Sequence, residues 1–240
     1  MKRLFTTLLL ITSLGTAQES AAHFRRPDVV AAAVQPAKAI SQKAKPASTQ
    51  AVLSAQDIAR MLEQQVLAGE GVSMKFKIKD GENVSVVADV KSKKVRIETA
   101  SMTIVSDGQT VYNYQKRNNQ LTIDALGKGR PSALSNPKDL FLFATNYSTK
   151  VVSSKGNAYV IALTPNQTVK NALNAAGGIN GLTFSVNVIN GKLTIKSASA
   201  QSNGQNVETG AMTVKSLKTL KASEFAFNAP KGAKVIDLRE

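Results

Sequence analysis

Side chains able to do covalent chemistry are scarce in this chain and badly spaced for it. The one histidine, His23, stands in an Ala/Pro/Lys-rich stretch, and cysteine is absent. No Gly-x-Ser-x-Gly elbow, paired metal-ligand spacing or phosphate-binding glycine loop occurs. Asp107 and Asp124 are the carboxylates nearest a run of short strands, but Asp107 precedes Gly108 and has a sufficient role in a turn. Gly127-Lys-Gly-Arg-Pro131 has no helix start behind it and reads as a loop rather than a phosphate cradle. Catalysis has no footing, and neither a cofactor nor a metal is expected. What remains is the chemistry of binding. Lys75, Lys77 and Lys79 recur at every second position, as on one face of a strand, where ammonium groups suit anionic headgroups, an acidic partner or plain solvent. Tyr112 and Tyr114 share a strand face, and Leu140-Phe-Leu-Phe143 gathers four large apolar residues that read either as core or as a cover over a binding space.

The elements that must position these residues are mostly strands. Ser54 and Asp57 open a helix running to about Ala68, a side-chain oxygen at the cap and a carboxylate near the positive end of the dipole. Ile58, Met61, Leu62 and Val66 fall on its one apolar face, and Gly69 and Gly71 stop it. From Val72 the period switches to two, with Met74, Phe76 and Ile78 alternating against the lysines before the turn Asp80-Gly-Glu-Asn83, and Val84, Val86, Ala88 and Val90 continue it. Further strands are expected over 94–100, 102–106, 110–116, 119–124, 149–153, 157–164, 181–189, 192–201 and 205–217. The tight turns Asp107-Gly108, Lys116-Arg-Asn-Asn119, Asn190-Gly191 and Asn203-Gly204 join antiparallel neighbours. Asn136-Pro137 opens a second helix, and a third runs over about 166–176 to Gly177-Gly178. The fold class expected is α+β: a curved antiparallel sheet of about eleven strands, an incomplete β-barrel, covered by about three helices.

The ends and the composition set the setting. Residues 1–17 carry Lys2 and Arg3, an apolar run from Leu4 to Leu14 and small residues Gly15 and Ala17, the order of a secretory signal peptide. The run is about half the roughly 20 residues a membrane span needs, so a soluble exported protein is expected. Lacking cysteine, it has no disulfide, no thiolate metal site and no lipid-modified cysteine to tether it. Residues 18–50 are rich in Ala, Pro, Lys, Gln and Ser and read as a disordered linker, leaving 51–240 as one domain. Residues 1–50 hold 7 of the chain's 31 Lys/Arg and 2 of its 16 Asp/Glu, so 51–240 keep 24 and 14, a balance of +10.

Several segments in one order, a capped first helix, Lys91 to Glu98 before Val105-Ser-Asp-Gly108, Pro137 to Phe143, Leu163-Thr-Pro165 and Phe225-Ala-Phe-Asn-Ala-Pro-Lys-Gly-Ala-Lys-Val-Ile236, resemble the periplasmic lipoprotein carriers of the LolA-like family. The last is the most specific, matching that family's F-x-F-x-x-P-x-G followed by an aliphatic pair through Phe225, Phe227, Pro230, Gly232, Val235 and Ile236. The resemblance implies a half-barrel whose apolar cavity takes the acyl chains of lipoproteins, or other lipids, through the periplasm towards the outer membrane. Phe76, Ile78, Val86, Val95, Ile97, Tyr112, Tyr114, Leu140, Phe141 and Phe143 would form cavity and lid, with Lys91 as the lid latch where the family has a basic residue. The family's arginine-proline pair is absent, and lysine lacks the planar donor fork of arginine. Implied partners are acylated lipoproteins or lipid, an inner-membrane release complex and an outer-membrane receptor. A monomer in transient contact with membranes, without nucleic acid, is expected.

Two other readings of the same residues compete. A half-barrel sensor or adaptor would bind an envelope protein instead of carrying lipid, since fold alone does not fix function. An electrostatic binder of anionic surfaces would rest on the basic balance.

Overall fold

In the computed structural model the structure describes residues 52–89, 91–126, 137–174, 179–202 and 205–239. The signal sequence, the linker, Val90, the 127–131 loop, the Asn136 cap, Gly177-Gly178 and the Asn203-Gly204 turn lie outside the described residues. Helix α1 (Ala55–Leu67) starts as the sequence dictates: Ser54 Oγ accepts the Asp57 amide at 3.1 Å, and Asp57 Oδ2 accepts the Ser54 amide at 3.3 Å. Ile58, Ala59, Leu62 and Val66 form its buried stripe.

Among the described residues, eight strands form one sheet in the order β12-β1-β2-β3-β4-β5-β6-β13: β1 (Gly71–Lys77), β2 (Asn83–Asp89), β3 (Lys94–Glu98), β4 (Met102–Asp107), β5 (Thr110–Gln115), β6 (Gln120–Ala125), β12 (Thr213–Leu217) and β13 (Lys234–Asp237). The other five pair as β11-β10-β9-β8-β7: β7 (Tyr147–Lys155), β8 (Ala158–Pro165), β9 (Ile179–Ile189), β10 (Lys192–Ser202) and β11 (Gln205–Thr209). Every pairing is antiparallel except β13 on β6. The turns use the residues expected of them. Asp107 Oδ1 accepts the Gln109 and Thr110 amides at 2.9 and 2.8 Å while Gly108 takes φ +98°, where a Cβ would stand 2.8 Å from the Ser92 carbonyl. Asn190 and Gly191 both adopt positive φ, as a two-residue hairpin requires.

The two sheets are joined at a seam. The Lys79 amide donates to the Glu208 carbonyl at 2.8 Å, the Gly210 amide to the Lys77 carbonyl at 3.0 Å, and Ile78 and Ile195 form isolated bridges with Thr209 and Met212. The expected single strand over 205–217 is therefore two. Its first half pairs with β10 and, after a break at Gly210, its second half pairs with β1. The surface curls into a mostly antiparallel wall whose ends, β7 and β13, do not pair among the described residues, the incomplete barrel that the sequence predicts.

Registers set which side chains face inward. Met74 lies opposite Val86 and Val214, Val86 opposite Ile97, and Ile97 opposite Ile104, an apolar row on the inner face. The outer face has its own apolar layer around Val105 and Leu121, 0 and 1% exposed. There the C-terminal segment packs across the sheet: Phe225 is buried, Phe227 lies against Tyr112 and Tyr114 with centroids 5.9 Å from each, and Arg96 Nη1 donates to the Glu224 and Ala226 carbonyls at 3.5 and 3.4 Å. Asn119 fixes the far end, its Nδ2 donating to the Gly232 carbonyl at 3.0 Å.

Helices close the inner side. The expected helix after Pro137 is broken at Leu142 into α2 (Pro137–Phe141) and α3 (Phe143–Asn146). The physical reason lies on α1, where Glu63 Oε2 accepts the Ala144 amide at 2.9 Å and so starts a new turn. Helix α4 (Gln167–Asn174) packs Val169 and Leu173 inward between β8 and β9.

A candidate apolar cavity beneath the helices

Between the helices and the curved wall is a cavity of about 220 Å³. Its floor on the first sheet is Met74, Phe76, Ile78, Val84, Val86, Ala88, Val95 and Ile97. The second wall is Leu182, Phe184, Ile195, Ala198, Ala200 and Val207, and the seam adds Thr209, Met212 and Val214. Leu62 and Val66 of α1, with Pro137, Leu140, Phe141, Phe143 and Tyr147, form the roof. Gln65, Ser199 and Thr209 are the few uncharged polar residues among them. The space is larger than the roughly 150 Å³ apolar cavities that stay dry and take up benzene. Water gains few hydrogen bonds there, so hydrocarbon is the chemistry that fits.

The apolar lining ends where the sheet turns polar. On the inner face beyond β3, Asn113 stands opposite Ile104 and Thr122, and among the described residues its buried Oδ1 has no hydrogen-bond partner.

The roof is held by polar contacts to its backbone. Tyr147 Oη donates to the Leu140 carbonyl at 3.0 Å, Asn146 Nδ2 to the Asp139 carbonyl at 3.0 Å, and Gln56 Nε2 to the Ala144 carbonyl at 2.7 Å. Burial pushes the Tyr147 phenol well above the ordinary tyrosine range, so it stays a neutral donor. Thr149 Oγ1 in turn donates to Gln56 Oε1 at 3.1 Å. Aromatic contacts add to this: Phe143 meets Phe141, Tyr147 and Phe184 with centroids 6.4, 5.7 and 5.8 Å away.

Of the residues singled out from sequence, Phe76, Ile78, Val86, Val95, Ile97, Leu140, Phe141 and Phe143 converge on this space. Tyr112 and Tyr114 lie on the opposite face of the sheet, in register with Val105 and Thr103, packed on Phe227. Lys91 lies in the exposed turn between β2 and β3, where its amide donates to Asp89 Oδ1 at 2.9 Å. Among the described residues no hydrogen bond joins its side chain to α2 or α3. Sequence reasoning missed Gln56, Glu63 and Tyr147 as the groups holding the roof, and the whole second wall. A period of two marks Leu182, Phe184 and Val186 as one face but not as the partner of Phe76 across a cavity.

Among the described residues no three His, Cys, Asp or Glu side chains gather as a metal site, and no helix is long and apolar enough to cross a membrane. No protein-family model matches the chain, and no curated protein matches it. Solved structures do. An uncharacterized conserved protein from Thermus thermophilus is 15% identical, with 76% of this chain and 98% of that one covered and a TM-score of 0.46. A LolA superfamily protein from Nitrosomonas europaea is 11% identical over 73% of this chain and 99% of its own, with a TM-score of 0.33. MucB is 16% identical over 73% of this chain and 63% of its own, with a TM-score of 0.36.

Proposed function

We propose that this chain is an exported, non-enzymatic carrier that takes acyl chains of lipoproteins, or of another lipid, into the space beneath its helices and hands them on towards the outer membrane. The observation that carries the proposal is the cavity itself: about 220 Å³ walled by aliphatic and aromatic side chains from both sheets and roofed by short helices. Hydrocarbon withdrawn from water gains about 0.8 kcal/mol per methylene, so a chain of some ten buried carbons has a reason to enter. A carrier working without a nucleotide must also let go. The roof's own contacts favour the empty, closed form, so a ligand that lifts the roof forfeits them and is held less tightly than its buried area implies.

The cavity lies below the roughly 300–1,000 Å³ of pockets that enclose drug-sized ligands. As it stands it admits part of one chain. A longer or multiply acylated anchor needs α2 and α3 to move outward, and these helices are only five and four residues long.

The test is a titration of the purified full chain with a fluorescent fatty acid, followed by displacement with a palmitoylated peptide. Saturable binding displaced by the acylated peptide and not by its unacylated form supports a carrier. Absence of binding to fatty acid, acylated peptide and phospholipid alike overturns it.

A further inference from the structure

The outer face of β1 and β12 is cationic. Lys75 and Lys77 of β1 and Lys215 of β12 are exposed and point away from the cavity, since Met74, Phe76 and Val214 between them point into it. In register beside them stand only uncharged residues: Thr213 and Ser85 flank Lys75, Asn83 flanks Lys77, and Ser73 flanks Lys215. Lys218 and Lys221, just after β12, are exposed as well.

The acids that surround this face are engaged elsewhere. Glu208 accepts Lys79 Nζ at 2.9 Å, Glu98 accepts Arg96 Nη2 at 2.6 Å, Glu82 accepts the Ser101 hydroxyl at 3.0 Å, and Asp89 holds Ser92 and the Lys91 amide. Asp80 and Glu70 sit at the ends of β1 rather than on its face. Among the described residues, Lys75, Lys77 and Lys215 make no ion pair. Their charge is left uncompensated.

We propose that this face, through Lys75, Lys77 and Lys215, docks the protein on an anionic lipid surface, leaving the cavity side of the same strands free. The composition separates a lipid surface from an acidic protein. Protein interfaces are enriched in aromatic residues and arginine and depleted in lysine, and this face offers lysines set in register with Ser, Thr and Asn. A lysine is a compact, hydrated point charge on a flexible stem. Such groups spaced two residues apart, about 7 Å along a strand, suit mobile headgroups better than one fixed array of carboxylates. The attraction is additive, reversible and screened by salt.

Sedimentation of the full chain with vesicles tests this, using phosphatidylglycerol and phosphatidylcholine in equal parts against phosphatidylcholine alone. Binding is expected to the anionic vesicles only, and to disappear as salt rises from about 0.1 M, where charges act over roughly 10 Å, to about 1 M, where they act over roughly 3 Å. The triple variant Lys75→Gln, Lys77→Gln, Lys215→Gln should lose about a hundredfold in affinity, each lysine near the surface giving roughly a fivefold factor. A triple of equal charge change on the five-stranded sheet, Lys150→Gln, Lys155→Gln, Lys192→Gln, should lose less than fivefold. Equal losses in the two triples would assign binding to net charge and overturn the proposal, as would equal binding to neutral vesicles or none to either. Tighter, Lys75-dependent binding to polyglutamate than to the vesicles would give the face to an acidic protein. The proposal does not rest on the cavity: fatty-acid titration of the first triple reads the two separately and should be unchanged.

Discussion

Phe143 and Phe184 meet edge to face, centroids 5.8 Å apart and planes 73° from parallel, so a four-residue helix of the roof is pinned to the middle of β9. Both rings are 7% exposed and both line the cavity. The contact that closes the roof is therefore one that an entering chain must share or displace. Such a pair contributes about 0.5–1.5 kcal/mol beyond the area it buries, enough to favour closure without locking it.

Phe143→Ala should loosen the roof and the fold together. A stability loss of about 3–5 kcal/mol is expected in denaturant unfolding, the usual size for a buried phenylalanine. Phe143→Leu keeps most of the volume and should cost less than about 1.5 kcal/mol while raising the dissociation rate of a bound fatty acid. An unchanged rate in that variant would mean that α3 does not gate the space.

Filling the second wall should separate binding from folding. Ala198 and Ala200 lie on the cavity face of β10, opposite Phe184 and Leu182. Replacing both with Leu puts side-chain carbon where a ligand would lie, so fatty-acid affinity should fall at least tenfold while the unfolding midpoint stays or rises. Undiminished affinity would place the binding site elsewhere.

Alkaline pH should act through Tyr147. Its folded pKa is raised by burial above an unfolded value of about 10, so the neutral phenol's contribution is fully present below pH 10 and is lost as pH rises beyond it. Unfolding free energy should fall above pH 10 by up to about 1.4 kcal/mol per pH unit on account of this group. Tyr147→Phe should remove that part of the slope and cost about 1 kcal/mol at neutral pH, the hydrogen bond to the Leu140 carbonyl being lost. Identical alkaline slopes in the two proteins would refute the assignment.

The two faces of the eight-stranded sheet should respond independently. Phe227→Ala strips the cover from Tyr112 and Tyr114 on the outer face and should lower stability by about 2–4 kcal/mol. Fatty-acid affinity, measured well below the unfolding midpoint, should stay within twofold, because no residue of that cluster lines the cavity.

Local signals carried much of this arrangement. The Ser54–Asp57 cap, the Asp107-Gly108 and Asn190-Gly191 turns and the alternation Met74, Phe76, Ile78 are each decided within a few residues, and the structure follows them. Tyr112 and Tyr114 alternate just as clearly, but alternation assigns two faces without saying which is inner. That choice came from Phe225 and Phe227, more than a hundred residues away, which cover the outer side. The break at Leu142 was equally invisible, since it depends on Glu63 reaching the Ala144 amide from another helix. Gly210 alone hinted that the strand over 205–217 would divide, and only the pairing of its halves with different sheets makes that hint readable.

The most direct measurement is photo-crosslinking with a palmitoyl chain that carries a diazirine at its methyl end, followed by mass spectrometry of the labelled peptides. Labels on β1 to β3 and β9 to β10, at residues such as Phe76, Ile97, Leu182 or Phe184, and their loss on competition with unlabelled palmitoylated peptide, are the predicted result. Labels confined to the outer face around Tyr112, Val105 and Phe227, or scattered without competition, would contradict an acyl chain housed beneath the helices.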